Sequence, residues 1–170
     1  VLYDPEGLEK TELKRLAKER VMSCNYDKSK LSKRGFFVSV DDIDVMLPNG
    51  SLVANGTTFR NTFHYEVFKF VNHIDLFVPC GGRPNSIDLN NLHYFINKEN
   101  NKCKIPYIVE GANLFISQPA KLELERHGAV LVKDASANKG GVTSSSMEVL
   151  AALSLNDDDF VNKFVSTDNK

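Results

Sequence analysis

The 170-residue sequence predicts an α/β fold built on a parallel sheet, and three observations carry that expectation. Short apolar runs alternate with amphipathic segments through the second half of the chain, at 75–79, 107–109 and 129–132. The segments between them have the apolar spacing of helices rather than of hairpins. Each run ends in a turn rich in Gly or Asn. Strand–helix–strand alternation implies right-handed crossovers and a sheet covered on both faces.

From the N-terminus, Val1-Leu2-Tyr3 reads as the tail of a strand. Asp4-Pro5 then opens a helix, because Pro suits a first helical turn. With no initiator Met, such a beginning is expected of a piece cut from a longer protein. Leu8, Leu13, Leu16, Ala17 and Val21 recur at helical spacing among Lys, Glu and Arg, the pattern of a surface helix. From Gly35 the texture becomes strand-like. Phe36 to Val40, Asp44 to Leu47, the Pro48-Asn49-Gly50 turn and Ser51-Leu52-Val53 make 36–53 a small antiparallel insertion. Phe59, Phe63, Val67 and Phe70 mark a second helix. Strand 75–79, helix 89–96, strand 107–109, helix 118–126 and strand 129–132 follow. A last long helix starts near Thr143-Ser144, where hydroxyls can cap it, and runs through Ala152. Asn156 to Asp159 then breaks the chain before a final short helix.

The length suits one domain with a sizeable core. A formal charge of −1 gives no electrostatic reason to expect nucleic acid or an anionic membrane, so a small ligand fits better. Cys24, Cys80 and Cys103 are odd in number and widely spaced, which reads as reduced thiols with neither disulfide nor metal site. No apolar run approaches the roughly 20 residues of a membrane span. These features place the chain inside the cell, in the cytoplasm, with the mitochondrion as the alternative, and leave the Asn55-Gly56-Thr57 sequon unused.

In open parallel sheets, ligands sit beyond the carboxyl ends of the strands. Those positions hold Cys80-Gly81-Gly82-Arg83-Pro84-Asn85, Glu110-Gly111-Ala112-Asn113, and Lys133-Asp134 through Gly140-Gly141-Val142. Glycine lets backbone approach a ligand, and an Asn carboxamide both donates and accepts. For a single loop the plainer explanation, that Gly and Asn serve turns, is the stronger one. Three in succession point to a nucleotide. Arg83 suits a surface carboxylate better than a phosphate, and the four histidines are scattered singly. Asp41, Asp42 and Asp44 fit a solvated hairpin face better than a metal cluster. Ser144-Ser145-Ser146 lacks a nucleophile elbow. There is also no G-x-G-x-x-G turn for a pyrophosphate.

Glu110-Gly111-Ala112-Asn113 and the block from Asp134 to Ser145 resemble the paired signature of glutamate dehydrogenases. The resemblance spans essentially the whole chain. Phe36 to Phe70, Pro79 to Pro84 and Ser144 to Leu150 look most like the large NAD-specific enzymes of fungal type, whereas small hexameric relatives lack the Phe36–Val53 insertion. The resemblance implies a Rossmann-like partial domain. Residues 1–154 would be the C-terminal part of a dinucleotide-binding domain, and 155–170 the start of a C-terminal helical segment. It implies oxidative deamination of L-glutamate to 2-oxoglutarate and ammonia with NAD, in a homo-oligomer. Asn113 then stands beside the nicotinamide ribose, Asn138 near the carboxamide, and Cys80 and Gly81 in the turn under the cofactor. Val142 lines the substrate pocket, and Ser145 hydrogen-bonds a substrate carboxylate with help from a helix N-terminus. Lys139 and the Cys80-Gly81-Gly82 turn depart from the small relatives. The family's catalytic lysine and aspartate match no position here, so the fragment is expected to be inactive. A competing expectation is a non-catalytic interaction or regulatory module on a truncated nucleotide fold. Another amino-acid dehydrogenase would share the reaction type, but the paired Asn blocks argue against it.

Overall fold

The computed structural model describes residues 1–166; residues 167–170, the end of the segment expected at 155–170, lie outside the described residues. The chain divides into two compact units at Ile74–Asp75.

In the first unit, β1 (Leu2–Tyr3) pairs antiparallel with β2 (Phe36–Phe37). The first helix does not open at Pro5. Asp4 to Gly7 is instead a turn: the Gly7 amide donates to the Asp4 carbonyl (3.1 Å), and Gly7 takes φ +90°. The Asp4 carboxylate accepts from the Glu6 and Ser32 amides, which fixes the turn in a non-helical path. Helix α1 (Lys10–Glu19) begins beyond it, capped by Glu9, whose carboxylate accepts from the Glu12 amide at 2.8 Å. The antiparallel insertion forms as a hairpin of β3 (Ile43–Met46) and β4 (Leu52–Asn55), turning at Gly50 with φ +83°. The strand expected through Val40 stops at Phe37. Beyond it the chain turns back at Ser39, whose amide donates to the Asp42 carboxylate (2.8 Å), so Asp42 serves a turn. Asn55 ends β4 and caps α2 (Gly56–Glu66), accepting from the Thr58 amide. A side chain at Gly56 would put a Cβ 1.8 Å from the Ser39 carbonyl oxygen. Phe36, Val38, Leu47 and Val53 form the core, with Tyr3, Phe59, Phe63 and Phe70 packed against it.

The second unit holds β5 (Leu76–Phe77), β6 (Tyr107–Val109) and β7 (Val130–Val132), parallel and in that order. The helix expected at 89–96 is a single 3₁₀ turn, Leu92–Phe95. Asp88 accepts from the Asn90 and Asn91 amides, and Asn91 accepts from the Asp88 amide, so short polar side chains hold the backbone in turns where a helix would start. Helix α3 (Gln118–Arg126) lies where expected. A short helix α4 (Asp134–Ala137) occupies what reads as loop, and α5 (Gly140–Ser154) starts before Thr143-Ser144, with Lys139 at its cap and no side-chain cap bond. The hydroxyls thus sit inside the helix. The helical path breaks at Leu155 and Asn156, at the start of the stretch expected to break it, and the three aspartates 157–159 already open the further helix, α6 (Asp157–Asp159), capped by Asn156. A π-helical turn, Phe160–Val165, continues it.

Strand alternation gives the sheet two unlike faces. Ile108 is fully buried, with Ile87, Phe95, Ile105, Ile116 and Leu124 also in this unit's core. On the opposite face Leu76, Tyr107 and Val130 pair into one row, each more than half exposed, so the described residues do not supply the cover expected on that side. No described helix is long and apolar enough to cross a membrane.

Candidate functional site

The three loops beyond the sheet are stitched to one another by backbone. The Ala112 amide donates to the Pro79 carbonyl (2.8 Å) and the Asn85 amide to the Leu114 carbonyl (2.8 Å), joining the turn after β5 to the one after β6. Gly111 is where these turns come closest: an added Cβ would lie 2.8 Å from the Cys80 Sγ. This close approach, not a positive φ, requires the glycine. Leu114 is left-handed at φ 55°, and its amide donates to the Asp134 carboxylate at 2.9 Å, which joins the second loop to the third. The backbone amides of Leu114 and Ala135, with Lys121 nearby, hold the Asp134 carboxyl below the usual carboxylate range.

This stitching brings Asn113 and Asn138 to the same edge, where the Asn138 Nδ2 donates to the Asn113 Oδ1 at 3.1 Å. Asn138 is placed by α4, whose end its amide closes onto the Asp134 carbonyl (2.8 Å). The pair opens into a cleft of about 770 Å³ lined by Asn113, Asn138, Gly141, Val142, Ser145, Ser146, Val149 and Leu150, within the size range of small-molecule sites. Four of the six residues singled out from sequence, Asn113, Asn138, Val142 and Ser145, therefore share one cleft. Cys80 and Gly81 do not line it; they lie in the adjoining turn, tightened by a bond from the Arg83 amide to the Gly81 carbonyl (2.9 Å). Ser145 is in the second turn of α5, and its hydroxyl donates back to the Gly141 carbonyl at 3.0 Å.

Inside the amide pair, one donor and one acceptor are already used on each other. The Asn113 Nδ2 and the Asn138 Oδ1 make no hydrogen bond within the described residues, so the pair, whose two members both line the cleft, keeps a spare donor and a spare acceptor. A primary carboxamide or a pair of ribose hydroxyls offers the matching set.

Sequence reading missed the group behind these amides. Glu110 is fully buried, with Oε2 2.6 Å from the Lys121 Nζ, and Lys121 is itself 3% exposed. The Ile116 amide donates to the other Glu110 oxygen (3.1 Å), and Lys121 also reaches Asp134 at 3.6 Å. Two signals could have found it. Glu110 has the strand parity of Ile108, and Lys121 lies on the α3 stripe of Ala120 and Leu124, all buried.

The model of the glutamate/leucine/phenylalanine/valine dehydrogenase family matches residues 1–169. The chain is 73% identical over 97% of its length to an NAD-specific glutamate dehydrogenase of Saccharomyces cerevisiae, and 59% identical over 95% to one of Neurospora crassa. It is 53% identical over 99% to glutamate dehydrogenase 2 of Dictyostelium discoideum. It spans 15% of the first two relatives and 16% of the third. On the family match over nearly all its residues, the chain belongs to the glutamate/leucine/phenylalanine/valine dehydrogenase family.

Proposed function

We propose that this chain is part of an NAD-dependent glutamate dehydrogenase and carries one wall of its cofactor and substrate sites. Residues 1–154 are the C-terminal part of the cofactor-binding domain, and 155–170 begin a helical segment. The relatives' names support the reaction, oxidative deamination of L-glutamate to 2-oxoglutarate and ammonia. The observation that carries the cofactor assignment is the Asn113–Asn138 pair, whose spare donor and acceptor suit a ribose hydroxyl and a carboxamide. Bound NAD would supply the hydride acceptor. The residues here would hold it: Asn113 at the ribose, Asn138 at the carboxamide, and Cys80 and Gly81 as the turn beneath.

Val142 would line the pocket for the glutamate side chain. Ser145 would turn its hydroxyl from the Gly141 carbonyl towards a substrate carboxylate, giving up a bond to make a stronger, charge-assisted one. The net gain is then smaller than for an unengaged hydroxyl. The whole protein is read as a cytoplasmic homo-oligomer.

The test is a split of effects in the full-length enzyme. Asn113→Ala and Asn138→Ala should each weaken NAD binding in calorimetry by up to about tenfold, the worth of one neutral hydrogen bond. Ser145→Ala should raise the KM for glutamate by about tenfold with NAD affinity unmoved. Unchanged NAD affinity in both Asn variants would refute the cofactor assignment.

A further inference from the structure

We propose that the cluster of buried Glu110 and Lys121 with partly buried Asp134 sets the spacing of the Asn113–Asn138 amide pair, so that Glu110 and Lys121 are positioning residues for whatever that pair binds. The inference rests on the proposed cofactor reading only for what the ligand is.

Neither Glu110 nor Lys121 can touch a ligand in the cleft, since both are buried and neither lines it. Their reach is through backbone. One Glu110 oxygen takes the Ile116 amide, three residues beyond Asn113, and the other lies 3.4 Å from the Asp134 amide, four residues before Asn138. Asp134 then takes the Leu114 amide on its own carboxylate and the Asn138 amide on its carbonyl. A single buried carboxylate thus grips both loops, and each loop carries one member of the pair.

Lys121 makes that grip possible. Without its ammonium, the fully buried Glu110 carboxylate would face the partly exposed Asp134 carboxylate with no cation beside them, an arrangement that like charges disfavour. A buried ion cluster is weak evidence for stability, because well-packed apolar groups of similar volume often do as well. What apolar groups could not supply is acceptors for the Ile116, Leu114 and Asp134 amides at fixed positions. Geometry is the reason to keep the charges.

The full-length enzyme carrying Lys121→Met tests this by three readouts: NAD affinity by calorimetry, the glutamate KM at saturating NAD, and the Asn113–Asn138 distance in a crystal structure. We expect NAD affinity to fall by about tenfold or more, the loss of at least one hydrogen bond to the ligand. The amide pair should open beyond hydrogen-bonding distance while the glutamate KM stays nearly constant. Adding Glu110→Gln to Lys121→Met removes the facing like charge and should recover most of the affinity. Glu110→Gln alone, which keeps an oxygen for the Ile116 amide, should give a smaller loss and serves if Lys121→Met does not fold. A lowered Tm with unchanged NAD affinity and an unchanged pair distance, in either single variant, overturns the proposal. Asn113→Ala separates the two readings. If it and Asn138→Ala both leave NAD affinity unmoved, the cofactor assignment fails, and the pair distance alone decides the positioning role.

Discussion

Gly111→Ala offers a sharp check on the packing between the loops after β5 and β6. The new Cβ would sit 2.8 Å from the Cys80 Sγ, so the sulfur must retreat by roughly half an ångström, and Cys80 must leave its present rotamer to do so. Overpacking and rotamer strain of this kind cost about 1 kcal/mol, towards the lower end of the usual range because Cys80 is exposed and can turn. For a chain of this length that is a fall in Tm of about 2–4 °C. Cys80→Ala removes the obstacle. The nearest atoms to the new Cβ are then the Pro79 carbonyl oxygen at 3.4 Å and the Cys80 Cβ at 4.0 Å, both ordinary contacts. Because Gly111 has no positive φ, alanine restricts the unfolded chain at no native cost and can gain about 0.4–1 kcal/mol. Gly111→Ala should therefore destabilise the natural protein and be neutral or stabilising beside Cys80→Ala. Urea titrations of the four proteins in the cycle, followed by circular dichroism, measure the coupling. Additive effects would refute the argument, since Cys80 would then not be what the glycine accommodates.

Gly56→Ala should be worse, because its Cβ would fall 1.8 Å from the rigid Ser39 carbonyl oxygen; a loss of about 3 kcal/mol in urea denaturation is expected, and a loss below about 1 kcal/mol would contradict it. Leu114→Gly should stabilise by about 0.5–1 kcal/mol, since a left-handed leucine costs more than the extra freedom of glycine and the side chain is 61% exposed; a lower Tm would count against it. The Glu12 carboxyl is drawn from 4.5 to about 2 by its bond from Arg15 and by the Asp27 amide. A depressed carboxylate stabilises the fold fully above its unfolded value and loses that contribution as pH falls towards the folded one. Stability measured between pH 4.5 and about 2 should therefore decline less steeply in Glu12→Gln than in the natural chain.

The legible parts of this fold are those in which side-chain period and local geometry agree. Helix α3 and strands β6 and β7 lie where their apolar spacing puts them, and β3–β4 turns at the expected Gly50. Misreadings cluster where short polar side chains bind the backbone. Asp4 converts an apparent helix start into a turn, and Asp88 with Asn91 converts an apparent helix into a 3₁₀ turn. Apolar spacing is blind to such bonds. At the cleft, Asn113, Asn138, Val142 and Ser145 were legible because they follow strand ends or resemble a family signature. The back-bonding of Ser145 was not, because it depends on α5 starting at Gly140 rather than a turn later. Glu110 and Lys121 sit on different elements, and although strand parity and the buried stripe of α3 mark each as inward-facing, neither signal names the other as its partner. Only the packing of α3 on the sheet makes them a pair.

The way the loops are stitched bears on any attempt to move this site into another scaffold. Copying Asn113 and Asn138 onto a different parallel sheet would transfer two side chains without the frame that aims them. The left-handed Leu114 needs the Asp134 carboxylate, Asp134 keeps company with Lys121, and Lys121 reaches Glu110 only from α3. Cys80 and Pro79 add a requirement from the neighbouring strand, because Gly111 and Ala112 are fitted against them. The smallest portable unit is therefore the stretch from Glu110 to Asn138 together with the turn after β5, and a graft that cuts inside it would carry the right residues at the wrong separation.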